Sequence, residues 1–174
     1  MSDELKFCPR CAGALEQRPV QYPHQLHPVC TGCGFVLWQN RKASVEALIL
    51  RGEGSAVEVL LGRLADGVAK GRWDMPGGFL NADDHLYDAL VRECKREMDV
   101  VVTVGEIVGA FDEDAFYGIP LVSIVYECTI ASGEPRPADL IDEVRWFPLA
   151  ETPPELAFPA VAAAVAALRR KHGL

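Results

Sequence analysis

Two pairs of cysteines near the N-terminus constrain the folding of this chain more than any other feature. Cys8 and Cys11 form one Cys-x2-Cys motif, and Cys30 and Cys33 form another, with 18 residues between the two motifs. Each motif presents two sulfurs on one side of a tight turn, and two such turns suit one tetrahedral zinc ion held by four thiolates. A closed site of four sulfurs leaves no position for water, so we expect the zinc to be structural. Residues 1–40 are therefore predicted to fold as a small zinc ribbon.

Two alternatives to this zinc site are considered. The cysteines could instead be a redox pair or free thiols, although the presence of both motifs favours zinc. His24 and His27 lie between the motifs and could replace a cysteine as ligand, but with four thiolates available we expect them to be surface residues. Cys94 and Cys128 stand alone in apolar surroundings and are predicted to be packed thiols in a reducing compartment.

Length and charge limit the partners of the protein. A chain of 174 residues can form one domain with a hydrophobic core and one small module. The net charge of -8 argues against a nucleic-acid polymer as partner, because affinity for such polymers comes from clustered Lys and Arg. No apolar run approaches the roughly 20 residues that span a bilayer, and residues 1–4 lack the features of a signal peptide. We expect no membrane contact and a cytoplasmic location.

Apolar patterning predicts a second domain over residues 41–174. Predicted strands cover residues 45–50, 57–61, 100–104, 106–111, 121–130 and 143–147. The first two strands are separated by a turn-forming segment and are expected to form a hairpin. Apolar residues at helical spacing predict helices over residues 84–98 and 159–170, and the Pro-Gly-Gly segment within 73–79 predicts a shaped loop. This order favours an α+β or α/β sandwich over a doubly wound parallel sheet.

The segment from residue 78 to residue 100 combines a glycine loop with a helix that carries carboxylates. Glu93 and Glu97 are four residues apart, so they lie on one helix face and can reach a common divalent cation. Carboxylate oxygens suit Mg²⁺ or Mn²⁺. Gly77 and Gly78 carry no side chain that would keep the backbone away from an ion or a phosphate. The segment predicts metal-assisted attack of water on a phosphoanhydride, whereas two such glutamates without the loop would indicate only a solvated helix face.

This segment resembles the signature of the Nudix hydrolases, G-x5-E-x7-R-E-U-x-E-E-x-G-U, where U is apolar. In this chain it reads Gly78-x5-Asp84-x7-Arg92-Glu93-Cys94-Lys95-Arg96-Glu97-Met98-Asp99-Val100. The resemblance extends over residues 43–168 and includes the lead-in 73–79 and the late segment 142–147. It implies an α/β/α sandwich with a mixed sheet that hydrolyses small substrates in which a nucleoside diphosphate is linked to another moiety. It also implies dependence on Mg²⁺, and homodimers are frequent in the family.

The resemblance assigns roles to individual residues. Glu93 and Glu97 would be metal ligands, and Arg92 would orient the carboxylates. The Gly77 carbonyl could complete the coordination, while Gly78 would shape the loop. Asp84 stands where the signature has Glu, which shortens the reach of this carboxylate by one methylene.

Two further positions depart from the signature. Arg96 replaces the first Glu of the signature's pair, so a carboxylate is lost and a cation is added one helical turn from Glu93. At about 6 Å and an effective dielectric of about 20, this charge opposes a divalent ion by on the order of 5 kcal/mol. An outward rotation of Arg96 would leave Glu93 and Glu97 able to bind one ion. Asp99 replaces Gly and predicts a different helix ending.

These departures leave two main hypotheses. The first is an active hydrolase of a nucleoside diphosphate derivative such as ADP-ribose or NADH, since segment 7–11 resembles the zinc ribbon of NADH pyrophosphatases. The S-Q-P-W-type segment that marks NADH specificity is absent from residues 101–116, so the substrate stays open. The second hypothesis is a nucleotide-binding or regulatory module that lost turnover through Arg96. An interaction adaptor built on the ribbon is a weaker third.

Further candidates are acids that could replace the missing signature Glu and aromatic residues that could contact a substrate. Asp112, Glu113 and Asp114 could supply a further acid, and Glu113 is the candidate among them, although an exposed acidic turn is the favoured interpretation. Most aromatic residues of such a chain pack in the core. Five could instead stack on a base: Trp38, Phe79, Phe111, Phe116 and Tyr117.

Overall fold

The computed structural model describes residues 5–113, 118–151, 153 and 155–174, and the chain divides into two compact units, Met1–Asn40 and Arg41–Leu174. The first unit contains an antiparallel hairpin of β1 (Leu15–Val20) and β2 (Tyr22–Cys30), in which Leu15 pairs with Cys30. These strands are not predicted by the sequence. Four of the six residues of β1 are exposed, so the alternation of apolar and polar residues that marks a half-buried strand is missing.

The second unit is built on a seven-stranded mixed sheet. Its strands are β3 (Lys42–Arg51), β4 (Glu58–Leu64), β5 (Trp73–Asp74), β6 (Gly77–Phe79), β7 (Val101–Glu113), β8 (Leu121–Ser132) and β9 (Ile141–Pro148). They run in the order β5-β4-β3-β8-β7, with β6 paired to β3 and β9 paired to β4. The β3–β8 pair is parallel and every other pair among the described strands is antiparallel. The mixed sheet agrees with the prediction.

Two helices cover the two faces of this sheet, α1 (Leu86–Met98) and α2 (Pro159–His172). Successive residues of a strand point to opposite faces, and β3 shows the consequence. Leu48 and Leu50 pack in the cluster that includes Leu168 of α2, whereas Ala47 and Ile49 pack in the cluster that includes α1. The predicted α/β/α sandwich is confirmed. Within the described ranges, neither helix combines the length and apolar character needed to cross a membrane.

Three elements differ from the sequence prediction. The two strands predicted over 100–104 and 106–111 form the single strand β7, whose pairing with β8 shifts register around Ile107. A bulge of this kind interrupts the apolar pattern without ending the strand. The segment 73–79 is not only a loop, because β5 and β6 pair with β4 and β3. The predicted hairpin of β3 and β4 is present, with Ile49 opposite Leu60.

Candidate active site and cysteine cluster

Helix α1 turns its two glutamates toward the glycine loop. Glu93 is 7% exposed and Glu97 is 8% exposed. The backbone N–H of Gly77 donates a hydrogen bond to Oε2 of Glu97 at 3.2 Å, and Nε of Arg92 donates to Oε1 of Glu93 at 3.1 Å. Loop and helix therefore meet at the residues that sequence analysis selected.

The glycines of the loop allow other groups to approach closely. A β-carbon on Gly77 would lie 2.0 Å from Oε2 of Glu46 and 2.4 Å from the carbonyl oxygen of Val45. A β-carbon on Gly78 would lie 3.1 Å from the carboxyl carbon of Glu93, which is tight but less severe. Gly77 pairs opposite Glu46 of the neighbouring strand β3, and this close approach leaves no space for a side chain at position 77.

Asp84 contacts Arg92 in spite of its shorter side chain. Two nitrogens of the Arg92 guanidinium donate to the two carboxylate oxygens of Asp84 at 2.8 and 3.0 Å. The backbone and side-chain amides of Asn81 donate to the same carboxylate at 2.9 and 3.0 Å. Arg92, reinforced by Asn81, holds the pKa of Asp84 well below its usual range. This fork fixes Arg92, which in turn fixes one oxygen of Glu93.

Arg96 lies on the two glutamates and does not rotate outward. Its Nε donates to Oε2 of Glu93 at 2.7 Å, and its Nη2 donates to Oε1 of Glu97 at 2.7 Å. Its Nη1 contacts the carboxylate of Asp139, which lies between β8 and β9. Arg96 therefore does not rotate outward. The partly buried carboxylates of Glu93 and Glu97, which belong to the same helix, attract its guanidinium.

Helix α1 ends at Asp99 in the left-handed conformation, with φ 57° and ψ 26°. The prediction of a different helix ending at this position is wrong. Asp99 donates its N–H to the carbonyl of Lys95, whose ammonium group contacts the Asp99 carboxylate. Left-handed backbone costs a residue with a β-carbon about 1–2 kcal/mol, and Asp adopts it more readily than most such residues.

The structure adds two carboxylates that sequence analysis missed, Glu46 from β3 and Asp74 from β5. Burial, reinforced by the charge of Asp74, raises the pKa of Glu46 well above its usual value. Burial, reinforced by the charges of Glu97 and Glu113, raises the pKa of Asp74 to about 7. Glu46 left a signal in the sequence, since it is the one charged residue in the apolar run 45–50. The only signal for Asp74 in the sequence is its position close to the Pro-Gly-Gly segment.

Glu113 is buried and does not belong to an exposed turn. It is 3% exposed at the end of β7, and its Oε2 accepts a hydrogen bond from the N–H of Ala160 at 3.2 Å, in the first turn of α2. The exposed acidic turn favoured from the sequence is wrong for this residue, because β7 continues through it. Asp112 is exposed and lies 3.5 Å from Arg41, and Asp114 lies outside the described residues.

A cavity of about 580 Å³ is lined by the glycine loop and by six carboxylates. Its carboxylates are Glu46, Asp66, Asp74, Glu93, Glu97 and Glu113. Its apolar walls include Val68, Phe79, Leu121, Leu140 and Phe158. Burial raises the pKa of Glu97 to about 7, although the Gly77 N–H and Arg96 oppose the shift. Glu46, Asp74 and Glu97, whose pKa values are raised, supply the carboxylate oxygens that a hard divalent cation requires.

The five candidate aromatic residues have different positions. Phe79 lines the cavity, whereas Phe111 packs against the core beneath α2. Trp38 belongs to the first unit, where its ring lies 4.7 Å from that of His27. Phe116 and Tyr117 lie outside the described residues.

The four cysteines of the first unit form a compact cluster. All four sulfurs lie within 4.8 Å of one another, with Cys8 and Cys33 at 3.7 Å and Cys11 and Cys30 at 3.4 Å. Four sulfurs placed about 2.3 Å from one zinc would be about 3.8 Å apart, so the cluster fits the ion. The backbone N–H of Cys33 donates to the sulfur of Cys30 and lowers the pKa of this thiol to about 6.

The two candidate sites differ in how tightly their ligand atoms are gathered. In the described part of the chain, the four cysteines are the one group of three or more His, Cys, Asp or Glu residues whose ligand atoms are gathered closely enough to hold a metal ion as they stand. Neither His24 nor His27 belongs to this cluster, as expected from the sequence. The carboxylates of the cavity share one space without forming a comparably tight group.

Comparison with known proteins identifies relatives of this chain. Residues 40–168 match the family model of the NUDIX domain. The chain is 27% identical over 150 residues to the NAD-capped RNA hydrolase NudC of Pseudomonas aeruginosa, a match that covers 86% of this chain and 50% of that protein. It is 29% identical over 102 residues to an ADP-ribose pyrophosphatase of Methanocaldococcus jannaschii, which covers 58% of this chain and 60% of that protein. The chain thus spans about half the length of the NudC relative.

Solved structures show the same fold. A NUDIX hydrolase from Nitrosomonas europaea superposes with a TM-score of 0.78 at 24% identity, covering 97% of this chain and 94% of that one. The NUDIX domain of Shewanella oneidensis NrtR, crystallised with ADP ribose, gives a TM-score of 0.62 at 20% identity, covering 77% and 90% of the two chains. At these identities the likeness shows the fold alone.

Proposed function

The chain belongs to the Nudix family, and on that premise we propose that it hydrolyses the pyrophosphate linkage of a nucleoside diphosphate derivative such as ADP-ribose or NADH. One observation carries the proposal. Glu93 and Glu97 of α1 lie against the glycine loop at the wall of a cavity of about 580 Å³. That volume is within the range of about 300–1,000 Å³ typical of small-molecule sites. The proposal is supported by Gly77, Gly78, Glu93 and Glu97, which all line this cavity.

Mg²⁺ or Mn²⁺ is the cofactor proposed for this cavity. Glu93, Glu97 and the Gly77 carbonyl would hold the ion, with Glu46 and Asp74 as further oxygen donors in the same space. Bound there, a divalent cation would screen the phosphates and lower the pKa of a bound water. Without added positive charge, a cavity with six carboxylates and one arginine would repel a diphosphate.

The protein's own residues would position and deprotonate the reactants. Arg92, fixed by Asp84, orients Glu93, and the Gly77 N–H orients Glu97. A carboxylate whose pKa lies near neutral pH is suited to accept a proton from an attacking water. Glu97 and Asp74, each with a pKa of about 7 in the metal-free protein, are the two candidates, and the one that does not hold the ion would take this role.

The walls of the cavity support a nucleotide as substrate. Phe79 and Phe158 provide aromatic surface on which a base can stack, and Leu140 extends the apolar wall. The names of two matched proteins, an ADP-ribose pyrophosphatase and a hydrolase of NAD-capped RNA, point to substrates with an ADP moiety. Residues 41–174 contain 22 Asp and Glu against 14 Lys and Arg, a net charge of -8, which favours a small substrate over an RNA chain.

The first unit is proposed to be a zinc ribbon over residues 1–40, joined to a hydrolase domain over residues 41–174. Cys8, Cys11, Cys30 and Cys33 would hold a structural zinc, as the spacing of their sulfurs supports. All six cysteines are free, which is consistent with the proposed cytoplasmic location. A homodimer stays a prediction from the family resemblance.

A substrate panel tests the hydrolase proposal. Product release would be measured for ADP-ribose, NADH, nucleoside triphosphates and a short NAD-capped RNA, each with Mg²⁺ or Mn²⁺. Glu97→Gln should lower kcat by at least about 100-fold, because one carboxylate in the site is lost. Glu53→Gln, an exposed residue outside the cavity, is the matched control. Turnover that persists in Glu97→Gln would contradict the proposal.

The binding-module alternative has one specific observation in its favour, the contact of Arg96 with both glutamates. If no substrate is turned over but ADP-ribose raises the melting temperature, the protein is a nucleotide-binding module. Cleavage of NAD-capped RNA at a higher kcat/KM than ADP-ribose would overturn the preference for a small substrate.

A further inference from the structure

All four carboxylate oxygens of the two signature glutamates already have donors. Oε1 of Glu93 accepts from Arg92, and Oε2 accepts from Arg96. Oε1 of Glu97 accepts from Arg96, and Oε2 accepts from the N–H of Gly77. A carboxylate oxygen that accepts one hydrogen bond keeps a second lone pair, so a divalent ion can still approach Glu93 and Glu97, but it must share their oxygens with the positive guanidinium of Arg96. The guanidinium and the ion compete for the same atoms.

Arg96 is also held from outside its own helix. Asp139 contacts its Nη1, and this aspartate has a positive φ of 49°, which is uncommon for a residue with a β-carbon. The backbone next to Asp139 is tied to the end of α1, since the N–H of Ala138 donates to the carbonyl of Glu97 at 3.0 Å. An unusual backbone conformation that presents a side chain to an active-site residue indicates a built contact. Arg96 is therefore anchored from two sides and is not a freely rotating surface arginine.

This anchor extends to the wall of the cavity. Leu140, the neighbour of Asp139, lines the cavity, and its carbonyl accepts from the N–H of Ala65 at 2.8 Å. Among the residues that the structure describes, Glu46 and Asp74 form no ion pair with an arginine or lysine. Positive charge is thus concentrated on the α1 side of the cavity, at Arg96.

We propose that Arg96 is a built-in cation that fills one cation position of the site, so that the protein binds fewer divalent ions than its carboxylates could otherwise hold. The guanidinium pairs with Glu93 and Glu97 on oxygens that an ion would use, and it stays covalently attached to the chain. It contributes a single positive charge and cannot activate water as a metal does. Where the family signature has a Glu that could hold a divalent ion, this chain then has the guanidinium of Arg96 in place of that ion. This inference concerns ion occupancy and does not depend on turnover.

Counting bound Mn²⁺ on the full zinc-loaded chain tests this inference directly. The electron paramagnetic resonance signal of free Mn²⁺ gives the number of bound ions and their affinity without any substrate. Arg96→Gln should tighten Mn²⁺ binding by at least tenfold, because Glu93 and Glu97 are released. Arg96→Glu should gain about one further equivalent of bound Mn²⁺.

Lys95→Glu is the matched control, because it makes the same change of charge at the next residue. Lys95 contacts Asp99 at the end of α1 and is not among the residues that line the cavity. Its variant should bind Mn²⁺ as the wild type does. The inference is overturned if wild type, Arg96→Gln and Arg96→Glu bind the same number of ions with affinities within twofold, or if Lys95→Glu gains as much as Arg96→Glu.

Arg96→Lys decides the question if the other two variants do not fold. Lysine keeps the positive charge but lacks the planar fork that reaches Glu93, Glu97 and Asp139 together. Mn²⁺ affinity at least threefold above wild type would support the inference, and an unchanged affinity would overturn it. Absence of turnover in the substrate panel would refute the hydrolase proposal and leave these ion counts untouched.

Discussion

The cysteine cluster of the first unit and the carboxylate cavity of the second unit gather their ligands in opposite ways. Four sulfurs from two short motifs, between Cys8 and Cys33, lie within 4.8 Å of one another. The carboxylates of the cavity come from β3, β5, α1, β7 and the loop that contains Asp66, and Arg96 lies among them. A ligand set built from local turns is complete as soon as those turns form. A ligand set assembled by a sheet and a helix depends on the whole domain, and its charge is tuned by residues far apart in sequence.

The two regions also differ in what stabilises them. The second unit has two clusters of buried apolar side chains, one on each face of its sheet. The described part of the first unit has a two-stranded hairpin in which Tyr22 and Leu26 are exposed, and Phe7, which precedes the hairpin, is exposed as well. A hairpin of two strands is marginal in water. Metal binding is therefore expected to determine folding in the first unit and only ion content in the second.

The largest expected effect is unfolding of the first unit when its metal is removed. Cys30→Ser, or a zinc chelator, should unfold residues 1–40 and leave the second unit folded, since structural zinc contributes roughly 10–16 kcal/mol in small peptides. Amide hydrogen exchange resolved by residue would measure this difference. Cys94→Ala, a buried thiol of α1, is the control. Unchanged protection of residues 15–30 in the stripped protein would remove the contrast between the two regions.

Gly77→Ala should have the next largest effect, because its β-carbon would lie 2.0 Å from Glu46 and 2.4 Å from backbone of β3. We expect a loss of about 2–4 kcal/mol in the free energy of unfolding of the second unit, measured by urea denaturation. Gly78→Ala, whose β-carbon meets Glu93 at 3.1 Å, should cost about 1 kcal/mol. Equal losses in the two variants would show that close approach at Gly77 is not what constrains the loop.

The stability of the metal-free second unit should fall as the pH rises from about 4 to about 7. Asp74 has a pKa of about 7 in the folded protein against 3.8 ordinarily, so the folded state holds a proton that the unfolded state has lost. One such proton gives a slope of at most about 1.4 kcal/mol per pH unit. Asp74→Asn should flatten this slope in denaturation curves recorded across the window. A slope that is unchanged in Asp74→Asn would show that other groups cause it.

Asp84→Asn should give the smallest effect, acting through Arg92. Loss of the charged fork would leave Arg92 free to move, and kcat is expected to fall about tenfold with little change in KM. Asp84→Glu restores the residue of the family signature and should retain activity at or above that of wild type. If both variants behave like wild type, the Asp84–Arg92 contact does not position Glu93.

Much of the fold and part of the site followed from the sequence. Helix α1 and the strands β3, β4, β8 and β9 were predicted within a few residues, because each carries its own apolar periodicity. The residues selected from the signature, Gly77, Gly78, Asp84, Arg92, Glu93 and Glu97, lie together in the structure. Glu46 and Asp74 were missed, since a single carboxylate on a strand has no local pattern. Glu113 was assigned to a turn because the bulge in β7 interrupts the apolar pattern, so the sequence predicts a strand that ends too early.

The sequence by itself determined helices α1 and α2 and strands β3, β4, β8 and β9, and it placed the four cysteines as one ligand set. Both depend on spacing along the chain, which local geometry converts directly into position. Only the tertiary structure decided the surroundings of Arg96. On a helix in isolation this side chain could point to solvent, but the fold places Asp139 opposite it and buries Glu93 and Glu97 beside it. Attraction between charges depends on distance in space and on burial, and neither is written in the order of the residues.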